Sequence, residues 1–272
     1  MSLDLDALLA AAVNAAQAGG EVVLDGFGTA LGAVEKRPGD WVTEIDTASE
    51  RVVRAALEAA APGLPVFGEE EGGEKAEVGW FVDPLDGTAN FVHNFPAVGV
   101  SVGLMAEGVP IVGVVYAPML GDLYTARSGG GTFFNGAPVS VSERSVEQAM
   151  VATGFPFRAK VQRLDEYLPI FERALRAFED LRRAGAASLD LSWTASGVFD
   201  GYFEQGLGPW DVAAGALLVR EAGGVVTDWH GDDKAWFDSG DIVAAPPAVH
   251  EVILALIAES DSKKFFGVFN AY

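Results

Sequence analysis

The stretch Trp80-Phe81-Val82-Asp83-Pro84-Leu85-Asp86-Gly87-Thr88-Ala89-Asn90-Phe91 decides how the rest of the chain is read. A short apolar strand, Trp80–Val82, delivers two carboxylates three residues apart. Pro84 fixes its own φ and keeps Asp83 extended, while Gly87 permits a turn or a close backbone approach. Hard oxygen ligands of this kind suit Mg²⁺, which takes near-octahedral oxygen coordination at about 2.0–2.1 Å. The Leu85 carbonyl, between the two Asp side chains, offers a further ligand. Behind them, the Gly87 and Thr88 amides and the Thr88 hydroxyl can cradle an anion at the start of a short helix. Asp, Pro and Gly also make ordinary turns, so the bare D-P-x-D pattern leaves both uses open.

Two other acidic segments stand at strand and helix ends. Gly68-Glu69-Glu70-Glu71-Gly72-Gly73-Glu74 follows a strand ending at Phe67, either as a solvated acidic loop or with Glu69 joining Asp83 on a cation and orienting a water. Pro209-Trp210-Asp211-Val212-Ala213-Ala214-Gly215 opens a helix, where Asp211 favours the helix dipole or serves as a distant ligand.

Composition narrows the chemistry. The 272 residues carry 18 Lys+Arg against 39 Asp+Glu, a net charge of −21, which argues against a generic binder of nucleic-acid phosphates. There is no Cys, so disulfides, Cys-ligated zinc, Fe–S clusters and a thiolate nucleophile are excluded. The three His, at 93, 230 and 250, are too scattered for a zinc motif. Half of the residues are hydrophobic, enough for a large core and too many for a disordered chain. Asp4 and Asp6 stand where a secretory peptide would carry Lys or Arg, and Gly and Pro interrupt the weakly charged stretch 95–121; a cytoplasmic protein with no membrane span is expected.

Patterning predicts two lobes, each built of α and β. Leu5, Leu8, Leu9, Val13 and Ala16 form a helical stripe over 5–17. Thr47-x-x-Glu50 reads as a capping box for a second helix that Pro62-Gly63 stops. Strands at Pro65–Phe67 and Trp80–Val82 lead into hairpins around Glu107-Gly108 and Asn135-Gly136. The second half alternates: a strand near Val151, helices over 163–178 and 186–198, and a strand at Gly201–Glu204. A helix from Pro209 to Ala222, strands at Val225–Thr227 and Ile242–Ala245, and a helix over 248–258 follow. The expected division is an N-terminal α+β lobe, 1–145, carrying the Glu/Asp loops, and a C-terminal α/β lobe, 146–272, supplying Asp211. The aromatic tail Phe265–Tyr272 is expected to dock on its own chain or a neighbour.

Taken together, Gly68-Glu69-Glu70, the run Asp83–Phe91, and Trp210-Asp-x-Ala-Ala-Gly215 with Glu221-Ala-Gly-Gly224 behind it resemble the two signatures of the inositol monophosphatase family. The resemblance spans roughly residues 5–258 and implies a layered αβαβα sandwich of the inositol monophosphatase and fructose-1,6-bisphosphatase type. It further implies a homodimer with lithium-sensitive, Mg²⁺-dependent hydrolysis of phosphate monoesters on two or three ions. On that pattern Glu69, Asp83, the Leu85 carbonyl, Asp86 and Asp211 hold metal, and Gly87 and Thr88 hold phosphate. Asp46, in Val42-Thr-x-x-Asp46, resembles the partner of the catalytic Thr, here Thr88. Arg183-Ala-Gly-Ala-Ala187 and Glu204 resemble the segment that meets substrate hydroxyls. Ala89 replaces a frequent second Thr, and Gly208 stands where some members carry a larger polar residue.

A haloacid-dehalogenase-type phosphatase, with its D-x-D-G-T nucleophile, is the nearest mechanistic rival, but the spacing here is D-x-x-D-G-T. For a bisphosphorylated sugar or a nucleotide substrate, extra cations are needed; Arg158, Lys160, Arg182 and Arg183 are read instead as solvated, favouring a polyol monophosphate. From a different class comes a role as binding partner of the transcription antitermination machinery, as in some bacterial relatives of the family, for which the acidic surface suits a basic protein and not bare RNA.

Overall fold

In the structure, a computed structural model, residues 3–29, 33–37, 40–156 and 160–262 are described. Asp4 caps α1 (Leu5–Gly26), its side chain accepting from the Ala7 amide at 3.1 Å. The helix runs well past residue 17, and its buried stripe is made of small residues, Ala12, Ala15, Ala16, Gly19 and Gly20, which let it lie close on a second helix and on the sheet. It is the one helix among the described residues long and apolar enough to cross a membrane, and here it packs against protein. After a β1–β2 hairpin (Val34–Arg37, Asp40–Val42) comes α2 (Glu44–Ala60).

The capping box of α2 corrects the expectation from sequence. The N-cap is Thr43 and its box partner is Asp46, one turn earlier than Thr47-x-x-Glu50. Both spacings satisfy the motif, but Glu50 is fully buried mid-helix and is engaged with another loop. The stop at Ala60, before Pro62-Gly63, is as read.

β3 (Val66–Gly68) pairs in parallel with β4 (Val78–Asp86), followed by the short α3 (Thr88–Val92). An antiparallel meander continues through β5 (Gly99–Ala106), β6 (Val109–Ala117), β7 (Asp122–Arg127), β8 (Gly131–Phe134) and β9 (Ala137–Val139). Both expected hairpin turns are present, with Glu107 and Asn135 at φ 53° and 47° and each followed by Gly. A second, five-stranded sheet has the order β11-β10-β12-β14-β13: β10 (Met150–Thr153), β11 (Asp180–Arg182), β12 (Gly201–Glu204), β13 (Val225–Thr227) and β14 (Ile242–Ala245). Between the sheets lie α5 (Ala187–Ala195) and α6 (Pro209–Glu221); α7 (Trp236–Ser239) touches α6, and α4 (Lys160–Ala177) and α8 (Pro247–Ser262) cover the far face. The layers therefore run αβαβα, as the resemblance implies. The tail Phe265–Tyr272 and Arg158 lie outside the described residues.

One contact sets the depth of the middle layer. Gly103 and Gly113 are paired across β5 and β6, and α6 lies directly on them. A Cβ at Gly113 would stand 2.6 Å from the Ala214 carbonyl oxygen, and one at Gly103 2.8 Å from the Ala214 nitrogen. Trp210, at the head of α6, rests against Phe67 at 5.7 Å between ring centroids, and its carbonyl accepts from Ser101 Oγ at 3.1 Å. Replacing Gly113 by Val is therefore expected to lever α6 off the sheet. The variant should lose about 1–3 kcal/mol in chemical denaturation and bind divalent ions more weakly by calorimetry, whereas Val109→Ala at the exposed end of the same strand should do neither.

Candidate metal centre

Three strand and helix ends bring acidic groups to one point. Parallel pairing of β3 with β4 sets Gly68 opposite Val82, and the Glu69 amide donates to the Val82 carbonyl at 3.1 Å, so Glu69 leaves its strand beside Asp83. Asp211 comes from the first turn of α6, where its Oδ2 accepts from the Gly208 amide at 2.6 Å. One oxygen from each of Glu69, Asp83 and Asp211 lies within 4.8 Å of the other two. The two readings of Asp211 are thus both realised: it is a helix-capping acid and a member of the cluster.

Asp86 reaches the same cavity through an irregularity in β4. In a regular strand, residues three apart point to opposite faces. Here Asp83 pairs with Ser101 and Asp86 with Gly99, so β4 holds one residue more than its partner between these points. This bulge returns both carboxylates to one side and accommodates Pro84, which has no N–H for the ladder. Asp86 Oδ2 accepts from the Ser188 amide at 2.7 Å and its hydroxyl at 2.6 Å, tying β4 to the start of α5.

These residues line a cavity of about 140 Å³ with Leu85, Gly87, Thr88, Arg183 and Glu204. Burial raises the Asp83 pKa well above the ordinary carboxylate range, and the charges of Glu69, Asp86 and Asp211 push it further the same way. Burial, then Asp211, lifts Asp86 to about 7 against the opposing Ser188 hydrogen bonds. Five carboxyl groups, counting Glu204, line this one cavity; Asp83 and Asp86, which resist ionisation, are stable in charged form beside Glu69 and Asp211 when a cation joins them. The donor set is all oxygen, as a hard divalent ion requires, so the residues fit Mg²⁺.

Beside the cluster, Thr88 Oγ1 lies 2.9 Å from Asp46 Oδ1 and 3.2 Å from the Leu85 carbonyl. The other oxygen of Asp46 accepts from the Thr43 amide and hydroxyl, at 2.8 and 2.6 Å. Burial raises the Asp46 pKa while these hydrogen bonds oppose the rise. Gly87 takes the left-handed conformation, φ 91°, that turns the chain from β4 into α3. Ala187 and Glu204 also border the cavity, and Glu204 Oε2 accepts from the Tyr202 hydroxyl at 2.6 Å. Burial moves Glu204 to about 7, against the Tyr202 hydrogen bond and the charge of Arg183.

Every site residue read from the sequence therefore borders this cavity, except Asp46, which reaches it through Thr88. Arg183 is exposed, as read from the sequence, and it also lines the cavity, with its guanidinium 5.7 Å from the Phe155 ring centroid. Arg182 is solvated and paired with Asp180. Sequence reading missed Ser188, whose pairing with Asp86 spans 102 residues and carries no local signal.

A layered αβαβα fold with an oxygen-lined, cation-ready cavity between its sheets is the class of the metal-dependent phosphatases. More narrowly, the chain belongs to the inositol monophosphatase family, whose model matches residues 4–262. That family is Mg²⁺-dependent. The putative Nus factor SuhB of Neisseria meningitidis serogroup B is 41% identical over 261 residues, covering 93% of this chain and 99% of the relative. The extragenic suppressor protein suhB of Bartonella henselae superposes with a TM-score of 0.87 at 34% identity, covering 96% of this chain and all of that one. The inositol monophosphatase of Anabaena (Nostoc) sp. PCC 7120 superposes with a TM-score of 0.85 at 33% identity, covering 94% and 97%.

The raised carboxyl pKa values give the metal-free protein a pH signature. A carboxyl whose pKa rises on folding favours the folded state while protonated, and that contribution is lost as pH climbs from the ordinary carboxylate range through the raised value. With Asp86 and Glu204 both near 7, the metal-free chain is expected to melt at lower temperature as pH rises from about 5 to about 8. Mg²⁺ should restore the melting temperature chiefly at the upper end; a profile flat in pH would detach these groups from folding.

Proposed function

We propose that this protein hydrolyses a small phosphate monoester, inositol monophosphate or a similar polyol phosphate, by Mg²⁺-dependent attack of water without a phosphorylated intermediate on the protein. The observation that carries the reading is the convergence of Glu69, Asp83 and Asp211 oxygens within 4.8 Å, next to the Asp46-bound hydroxyl of Thr88. Glu69, Asp83, the Leu85 carbonyl, Asp86 and Asp211 would hold two or three ions. When bound, Mg²⁺ neutralises the phosphate dianion, makes water a stronger acid and stabilises the departing alkoxide.

The chain's own groups do the rest. With its proton directed to Asp46, the Thr88 hydroxyl presents a lone pair to the attacking water, and Glu69 accepts the proton that this water loses. Gly87 and Thr88 hold the phosphate from the turn at the start of α3. Glu204, fixed by Tyr202, accepts from a substrate hydroxyl near Ala187. Family membership supports a lithium-sensitive, homodimeric, cytoplasmic enzyme as the fuller form of this reading.

Phosphate release from inositol-1-phosphate, glycerol-2-phosphate, fructose-1,6-bisphosphate and NADP tests the substrate directly. The first two are expected to be favoured, and Asp86→Asn is expected to remain folded with hydrolysis reduced by about a hundredfold or more. Preference for the bisphosphate or the dinucleotide would move the chain to another branch of the superfamily and give Arg183 an anion to bind. A trapped phospho-aspartate at Asp83 would overturn the water mechanism.

Relatives at 41% identity named as Nus factors support a second reading, a binding partner of the transcription antitermination machinery. The two separate in a host lacking this chain: if hydrolysis is the role, Asp86→Asn should not restore growth, whereas restoration by the inactive variant would favour the binding role.

A further inference from the structure

We infer that Glu50 is a positioning residue, which holds Glu69 at the metal centre and thereby sets the protein's affinity for Mg²⁺. The inference rests on the proposed reading of Glu69 as a ligand. Glu50 is a fully buried carboxylate in the middle of α2, away from the cavity lining. Its Oε2 accepts from the Glu70 amide at 2.7 Å and its Oε1 from the Glu71 amide at 3.0 Å, the two amides that directly follow Glu69. On the other side, the Glu69 amide is bonded to the Val82 carbonyl next to Asp83. Glu69 is thus pinned by its own amide and by the two after it, so its side chain leaves a backbone with little freedom.

Arg54, one turn along α2, completes the clamp. Its Nε donates to Glu50 Oε1 at 2.8 Å and one terminal nitrogen to the Val66 carbonyl at 2.8 Å, while the other meets the Gly72 carbonyl. The loop closes through the Gly68 amide on Gly72 at 2.9 Å, and the Glu50 carboxylate fills the space a side chain at residue 68 would need. An ion pair this buried is a poor choice for stability alone, because apolar residues of the same volume commonly do as well or better. Its return lies in the loop: without it a segment carrying Glu69, Glu70, Glu71 and Glu74 would be driven outward by its own charge. Outer groups that orient a ligand in this way typically govern affinity by about ten- to a hundredfold.

The test compares Glu50→Gln, Arg54→Lys and Val53→Ala in the full chain. Val53→Ala removes core volume from the same helix without touching the loop. Mg²⁺ binding by calorimetry is expected to weaken about tenfold or more in Glu50→Gln and less in Arg54→Lys, with kcat at saturating Mg²⁺ within a few-fold of the parent. Val53→Ala should lower the melting temperature and leave Mg²⁺ affinity unchanged. In the metal-free parent, the Glu70 and Glu71 amides should already be protected from hydrogen exchange; should Glu50→Gln fail to fold, this measurement and Arg54→Lys decide. Parental affinity in a folded Glu50→Gln, or fast exchange at both amides in the parent, overturns the inference. A parent that binds Mg²⁺ but releases no phosphate from any ester overturns the hydrolytic reading and leaves the role of Glu50 standing, whereas a parent that binds no Mg²⁺ ends both.

Discussion

Carboxylates held close together away from water are the most demanding arrangement in this chain, and much of the fold around the cavity follows from it. Asp83 and Asp211 are almost wholly buried, with Glu69 and Asp86 alongside. Their repulsion works against the closed structure, and other contacts must hold the ends in place until a cation offsets it. Three features share that work: the glycine pair that seats α6, the bulge that turns Asp86 to the same side as Asp83, and the backbone amides that hold the Glu69 loop.

Seen this way, α2 is more than an outer covering. Its buried face carries Asp46, Ser49 and Glu50 before it becomes apolar at Val53 and Leu57. Asp46 takes the Thr88 hydroxyl, Ser49 Oγ donates to the Pro84 carbonyl at 2.9 Å, and Glu50 holds the acidic loop. One turn and a half of helix therefore anchors three separate pieces of the site. A rigid element does this better than loops bonded to one another, because its polar groups are already fixed in spacing before any ligand arrives.

Much of this was legible in the residues. Strands and turns with strong local chemistry, such as Gly201–Glu204 and Asn135-Gly136, match the structure because their signals are short-range. The acidic site was legible because its carboxylates sit in compact runs with telling neighbours, Pro84 and Gly87 above all. What escaped depends on long-range contact. Thr47-x-x-Glu50 and Thr43-x-x-Asp46 are equivalent as strings, and only the packing of α2 on β4 distinguishes the cap from the clamp. Arg183 reads as one more surface cation, and only the placement of β11 and α5 brings its segment to the cavity rim, while Ser188 gains meaning only from a carboxylate on the seven-stranded sheet.

That last contact shows why the cavity lies between the sheets. Asp86 belongs to the seven-stranded sheet but is satisfied by Ser188 of the middle layer, while Asp211 belongs to the middle layer but joins Asp83 of the sheet. Glu204 comes from the five-stranded sheet and feels the charges of both Asp86 and Asp211. Each layer thus supplies groups whose partners lie in another, so sliding any layer by an ångström unbalances charges and hydrogen bonds together. Hydrogen bonds to ionised groups weaken steeply with misalignment, and a low-dielectric cavity magnifies the loss. The paired glycines of β5 and β6 therefore matter to the site as much as the carboxylates do, since the seat they provide for α6 is what fixes the distance between Asp211 and Asp83.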